Sequence, residues 1–149
     1  MKIRQQIFRG VVSGLAMGVA LFVFGAILAR IFYGPAMAPP GKFEPEQLNP
    51  AYFVWTKLVI GVFFGLLFTF FYERLPLSRK IKNAAQGMKG AFFLWLVISL
   101  WNLSHPILYE SPDYRNVVFW LLYTLSGFLV FGAVLGEFYR RAGEEAAEA

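Results

Sequence analysis

The chain has 149 residues, of which 58% are hydrophobic, 19% aromatic and only 15% charged. Soluble domains carry about 25% charged residues, so this composition, with a mean hydropathy of +0.54, excludes a soluble globular enzyme. There is no cysteine and one histidine, His105. The chain therefore supplies no disulfide, thiolate metal centre, iron–sulfur cluster or bis-histidine haem, and neither a metal nor another cofactor is expected.

A bilayer core about 30 Å thick needs about 20 apolar residues as helix, and four segments meet that length. The first runs from about Gly10 to Tyr33 after a basic start of Lys2, Arg4 and Arg9. Ala36-Met37-Ala38 resembles a signal-peptide cleavage site, but Pro39 follows it. The apolar run 11–29 also exceeds the usual 7–15 residues of a signal core, so a retained anchor is expected. Residues 34–50 hold five of the eight prolines and read as an irregular loop. The second span runs from about Tyr52 to Tyr72. A basic link over 75–86 suits an amphipathic stretch on anionic headgroups. The third span covers about Gly90 to Leu108, a short loop follows, and the fourth covers about Asn116 to Tyr139. Residues 142–149, small and acidic, are expected to fray. All 149 residues thus form one all-α integral membrane domain.

Ten basic residues (Lys2, Arg4, Arg9, Arg74, Arg79, Lys80, Lys82, Lys89, Arg140 and Arg141) fall on one side of these spans. Only Arg30, Lys42, Lys57 and Arg115 fall on the other. The positive-inside rule predicts both termini in the cytoplasm of a bacterial or archaeal inner membrane. The net charge of +5 reflects this asymmetry. The basic residues flank spans and lack the pattern of a nucleic-acid face, so no nucleic acid is expected. Six tyrosines, at 33, 52, 72, 109, 114 and 139, sit near span ends as an interfacial belt.

The two halves resemble each other. Gln6-x-x-Arg9-Gly10 matches Gln86-x-x-Lys89-Gly90, and Asn49-Pro50-Ala51-Tyr52 matches Ser111-Pro112-Asp113-Tyr114. Asn or Ser as cap, then Pro, is a sound helix start. The even-numbered spans end alike, from Gly65 through Thr69 and Phe71-Tyr72 to Arg74 and from Gly132 through Gly136 and Phe138-Tyr139 to Arg141. Residues 6–74 and 86–141 therefore read as two tandem hairpins. With two spans each, they form a parallel repeat about an axis along the membrane normal, which disfavours an inverted-repeat transporter.

Small residues recur every four positions: Gly10, Gly14 and Gly18 in the first span, Gly61, Gly65 and Thr69 in the second, Gly132 and Gly136 in the fourth. Such stripes let helix backbones approach closely. They predict packing of helices 1, 2 and 4 within the chain, or a seam between chains; sequence leaves the two open. The third span, rich in Phe92, Phe93, Trp95 and Trp101, reads as the face toward lipid or a partner.

Four polar residues lie in the outer half: Arg30, Lys57, Asn102 and His105. Ionisable groups inside a membrane raise the suspicion of function, yet Arg30 and Lys57 are long enough to snorkel outward. Asn102 and His105 share a face at i,i+3, and Pro106 biases His105 out of the helix. On one reading the four line an outer-leaflet pocket for a small lipophilic or anionic ligand, a lipid or a quinone. On the other they are interfacial, capping or helix-pairing residues. Glu137 is placed to pair with Arg140 and Arg141 on its own helix. No HExxH, GxSxG or Walker pattern and no deep acid pair occurs. The expected function is accordingly non-enzymatic: an accessory or structural subunit that packs against itself or a larger membrane complex. A ligand-binding or transport module is the alternative.

Overall fold

A computed structural model describes residues 3–36, 50–72, 83–107 and 113–148. They form four helices: α1 (Ile3–Tyr33), α2 (Pro50–Tyr72), α3 (Ala84–Ile107) and α4 (Tyr114–Glu148). Three of them, over Ile3–Tyr33, Val54–Phe71 and Tyr114–Glu144, are long and apolar enough to cross a membrane. The fully described apolar part of α3, Ala84–Leu100, is shorter.

Local chemistry fixes the helix ends. Gly34, at φ 70°, ends α1 in the left-handed conformation that glycine adopts without penalty, and a single 3-10 turn, Gly34–Ala36, follows. Pro50 opens α2 at a position where a missing N–H costs nothing. The Asn83 side chain accepts from Gln86 N–H at 2.9 Å and caps α3. Asp113 does the same for α4, accepting from Asn116 N–H at 3.2 Å. The cap of the fourth helix is thus Asp113, two residues past the expected Ser111, and Pro112 precedes the helix. Of the expected amphipathic link over 75–86, residues 83–86 are the cap and first turn of α3; the rest of it and Asn49 lie outside the described residues. Three helices also outrun their apolar cores. α1 begins at Ile3 and α3 at Ala84. α4 continues to Glu148 instead of fraying at 142, because Ala and Glu favour helix and ion pairs brace its last turns. Arg140 meets Glu137 at 2.5 Å and Glu144 at 2.6 Å; Arg141 meets Glu137 at 3.2 Å.

The helices run alternately up and down. α1 and α4 form the central pair, antiparallel from Phe8–Phe138 at one end to Phe32–Phe119 at the other. α2 packs on α1 and α3 on α4. Phe68 of α2 reaches across to Phe128 and Phe131 of α4. The core is an i,i+4 stripe of α4, Tyr123, Gly127, Phe131 and Leu135, closed by Met17 and Leu21 of α1 and by Phe68. Chain start and chain end share one end of the bundle, here the terminal end; the far end carries Tyr33, Pro50 and Tyr114.

Glycine sets the spacing of both hairpins. A Cβ on Gly14 would lie 2.8 Å from Val62 Cα, and one on Gly18 2.8 Å from Lys57 O. From the α2 side, Gly61 and Gly65 meet the backbone of Gly10, Gly14 and Gly18. In the second hairpin Gly132 lies against Gly87 and Ala91, and Gly136 against Asn83 and Ala84. Gly132 and Gly136 therefore pack on α3, not on helices 1 and 2 as the sequence pattern suggested. α3 is correspondingly not a wholly outward helix. Its contacts with Gly132 and Gly136 centre on Gly87, which lies before the expected start of the span. The two hairpins meet where Gly25 supports the Tyr123 ring and Gly127 receives Leu21.

Because backbone, not a movable side chain, fills the missing Cβ positions, Gly14→Ala and Gly87→Ala should each destabilise by about 1–3 kcal/mol, the usual cost of overpacking. Gly143, with nothing within 4 Å, should tolerate alanine without loss. Unfolding midpoints of the detergent-solubilised variants in sodium dodecyl sulfate titrations check this. Equal midpoints for all three would contradict the packing.

Candidate functional site

Among the described residues two cations meet tyrosine rings of α4, one toward each end of that helix. In the far half, Lys57 leaves α2 beside Gly18, and its ammonium lies 5.0 Å from the centre of the Tyr123 ring. That ring rests on Gly25 of α1. Seven residues separate Gly18 and Gly25, a rise of about 10 Å, so the lysine stem climbs toward the far end. This is the course a snorkelling lysine takes, but it runs between helices. Tyr123 is 5% exposed, stacks on Phe119 and meets Trp120 edge-on. Its hydroxyl has no hydrogen-bond partner among the described residues.

At the terminal end, Arg9 is 8% exposed and its guanidinium lies 5.2 Å from the centre of the Tyr139 ring. Ser13, one turn deeper on the Arg9 face, and Thr69 of α2 are fully buried, and neither hydroxyl has a partner among the described residues. A cation over an aromatic face gains about 0.5–1 kcal/mol when exposed and about 2 kcal/mol when desolvated. Both pairs therefore offset part of the cost of taking a charge among apolar helices.

A third cluster closes the far end. Tyr33 donates to Asn116 Oδ1 at 2.9 Å, and the Arg115 guanidinium lies 5.7 Å from the Tyr33 ring. Between α3 and α4, Trp95 donates to Thr124 Oγ1 at 3.0 Å.

Of the four polar residues singled out from the sequence, Arg30 is exposed on the last turn of α1, whereas Lys57 turns inward over Tyr123. The backbones of Asn102 and His105 lie within α3, which continues through Pro106. Their side chains lie outside the described residues. Arg9, Tyr123 and Tyr139 were not singled out. Tyr123 had a signal: it is the one tyrosine of seven placed in mid-span. Arg9 had none, since it read as one more basic flank. Among the described residues no group of three or more His, Asp or Glu could hold a metal ion.

An outward-facing groove opens between α1 and α2 at the terminal end. Its volume is about 460 Å³, and its walls are Ile3, Ile7, Phe63, Leu66, Leu67 and Phe70, with Gln6 as the polar member.

Comparison with known protein families, with curated proteins and with solved structures returns no match to this chain. The class defined by the fold is an all-α four-helix bundle, three helices of which have the length and apolarity of membrane spans.

The two cation–ring pairs are testable separately from the residues' other contacts. A double-mutant cycle of Lys57→Met with Tyr123→Leu should give a coupling energy of about 1–2 kcal/mol, and Arg9→Met with Tyr139→Leu a similar one. Tyr123→Phe should leave stability unchanged or raise it, because the hydroxyl removed has no hydrogen-bond partner among the described residues. Coupling near zero in both cycles would reduce the pairs to proximity.

Proposed function

We propose that this chain is a non-enzymatic integral membrane protein of a bacterial or archaeal cytoplasmic membrane, working as an accessory or structural subunit. It packs against a second copy or a larger membrane complex. All four helices span, and both termini face the cytoplasm. The observation that carries the reading is the contrast between a closed centre and an open flank. The centre is filled by Phe131, Leu135 and Phe68 and by backbones touching at glycine. Among the described residues the one broad contact of α3 is with α4, and α3 turns Phe93, Val97 and Leu100 outward, at 65%, 52% and 61% exposure. A filled centre suits a scaffold better than a conduit.

Orientation is supported by the ten-to-four division of basic residues. The described members Arg4, Arg9, Lys89, Arg140 and Arg141 all belong to the terminal end. A tandem duplication is supported by the like settings of Gly65 and Gly132. Each faces two small residues of the preceding helix, Gly10 and Gly14 in one hairpin, Gly87 and Ala91 in the other. The motif match pairs Gly10 with Gly90, so the hairpins correspond with a three-residue shift at that point. The broad α1–α4 junction has no counterpart of like extent between α2 and α3 among the described residues. The relation thus belongs to the hairpins and not to their junction.

The second reading, an outer-leaflet ligand module at Arg30, Lys57, Asn102 and His105, draws on one observation, the inward course of Lys57. The exposed Arg30 favours the scaffold.

Mass spectrometry of the gently solubilised protein separates the two. The scaffold reading expects a stoichiometric partner chain or a second copy, lost when Phe93 and Val97 are both changed to Ala. A monomer carrying a lipophilic small molecule that Lys57→Met abolishes would replace it with the ligand module. Reporter fusions should place the termini inside and the Lys42 loop outside; an external C-terminus would overturn the orientation.

A further inference from the structure

We propose that the groove between α1 and α2 is a binding site for one anionic phospholipid, with an acyl chain along Phe63, Leu67 and Phe70 and the headgroup phosphate at Arg4. The volume of about 460 Å³ falls within the 300–1,000 Å³ of small-ligand sites. Its lining is apolar apart from Gln6, in the first turns of α1. From Phe63 to Phe70 the helix rises about 10 Å, two-thirds of one leaflet of a core about 30 Å thick. The groove therefore starts at the headgroup level of one leaflet and ends before the midplane. That length suits an acyl chain. A partner's transmembrane helix needs a track across the whole core of about 30 Å, whereas the groove wall from Phe63 to Phe70 covers only about 10 Å of α2.

Charge selects the headgroup. Arg4 follows Ile3 of the groove wall, stands at i,i+3 from Ile7 and is exposed. An arginine at a membrane surface attracts anionic lipid with about 1 kcal/mol, or about fivefold in affinity. Glycine explains why the groove exists at this place. Gly10 and Gly65 bring α1 and α2 into backbone contact, and beyond that crossing the larger Ile3, Ile7, Leu66 and Phe70 line a cleft.

The inference rests on the membrane placement proposed above, but its test in detergent is blind to sidedness and to partner chains. The full chain is purified in mild detergent, mixed with equal dioleoyl phosphatidylglycerol and dioleoyl phosphatidylcholine, and read by native mass spectrometry. One phosphatidylglycerol should be retained about fivefold over phosphatidylcholine. Arg4→Gln, at an exposed site that leaves packing untouched, should erase the preference while keeping a lipid bound. Leu67→Trp, filling the groove, should lower retention of both lipids, with circular dichroism verifying that the helices persist. Equal retention of the two lipids by the parent chain would overturn the proposal, leaving only general annular lipid. So would a preference that survives Arg4→Gln, or a chain dimer that Leu67→Trp dissociates.

Discussion

Between Gly14 and Gly61 there is no room for a side chain, and the rest of the structure follows from that spacing. In a bilayer, lipid tails offer no hydrophobic drive for helices to associate, so dispersion contacts between close backbones must hold them. The small residues of α1 meet those of α2 over about two turns, and a similar patch around Gly87 and Gly132 does the same for α3 and α4. Each contact lowers the separation at which larger groups nearby interlock. Phe68 reaches Phe131 only because α2 sits so close to α1. The Cδ2–Cε2 edge of the Tyr123 ring occupies the gap left by Gly25.

The central pair behaves differently from the hairpins. α1 and α4 meet through large side chains received by single glycines, Leu21 at Gly127 and Tyr123 at Gly25. At the two ends of this junction a tyrosine of α4 carries a cation, Arg9 over Tyr139 and Lys57 over Tyr123. Both arrangements keep a positive charge at the edge of the apolar interior, where its stem is buried and its head meets a ring quadrupole. The buried hydroxyls of Ser13 and Thr69 fit the same economy of volume.

Much of this was legible in the sequence, and the exceptions have physical causes. The stripes Gly10–Gly14–Gly18 and Gly61–Gly65 announce themselves because spacing by four puts residues on one face of any helix. Gly87 escaped because apolarity marks where a helix enters lipid, not where it begins. The first six residues of α3 include Gln86 and Lys89, and polar turns outside the core still pack. That displaced start misdirected the reading of Gly132 and Gly136 toward the wrong neighbour. Lys57 shows a different limit. Its depth along α2 follows from counting, but whether the stem climbs outside or between helices depends on Gly18 and Gly25, which lie on another helix. A single chain of letters specifies the length of a side chain and leaves its azimuth to the partner.

The asymmetry of the bundle narrows what its surfaces are for. α1 and α4 each pack broadly on two other helices, although α1 still turns Val19, Val23 and Ile27 outward. α2 and α3 each have one broad interface and a wide free face. The two free faces differ in chemistry. That of α2, with Phe63 and Phe70, is interrupted by a cleft that stops short of the midplane and begins beside Arg4, a shape that matches a lipid. That of α3, with Phe93, Val97 and Leu100, follows one side of a helix for two turns, a shape that matches another helix. On the membrane placement proposed above, a filled centre with two such unlike outer faces suits a protein held by lipid on one side and by a neighbour on the other.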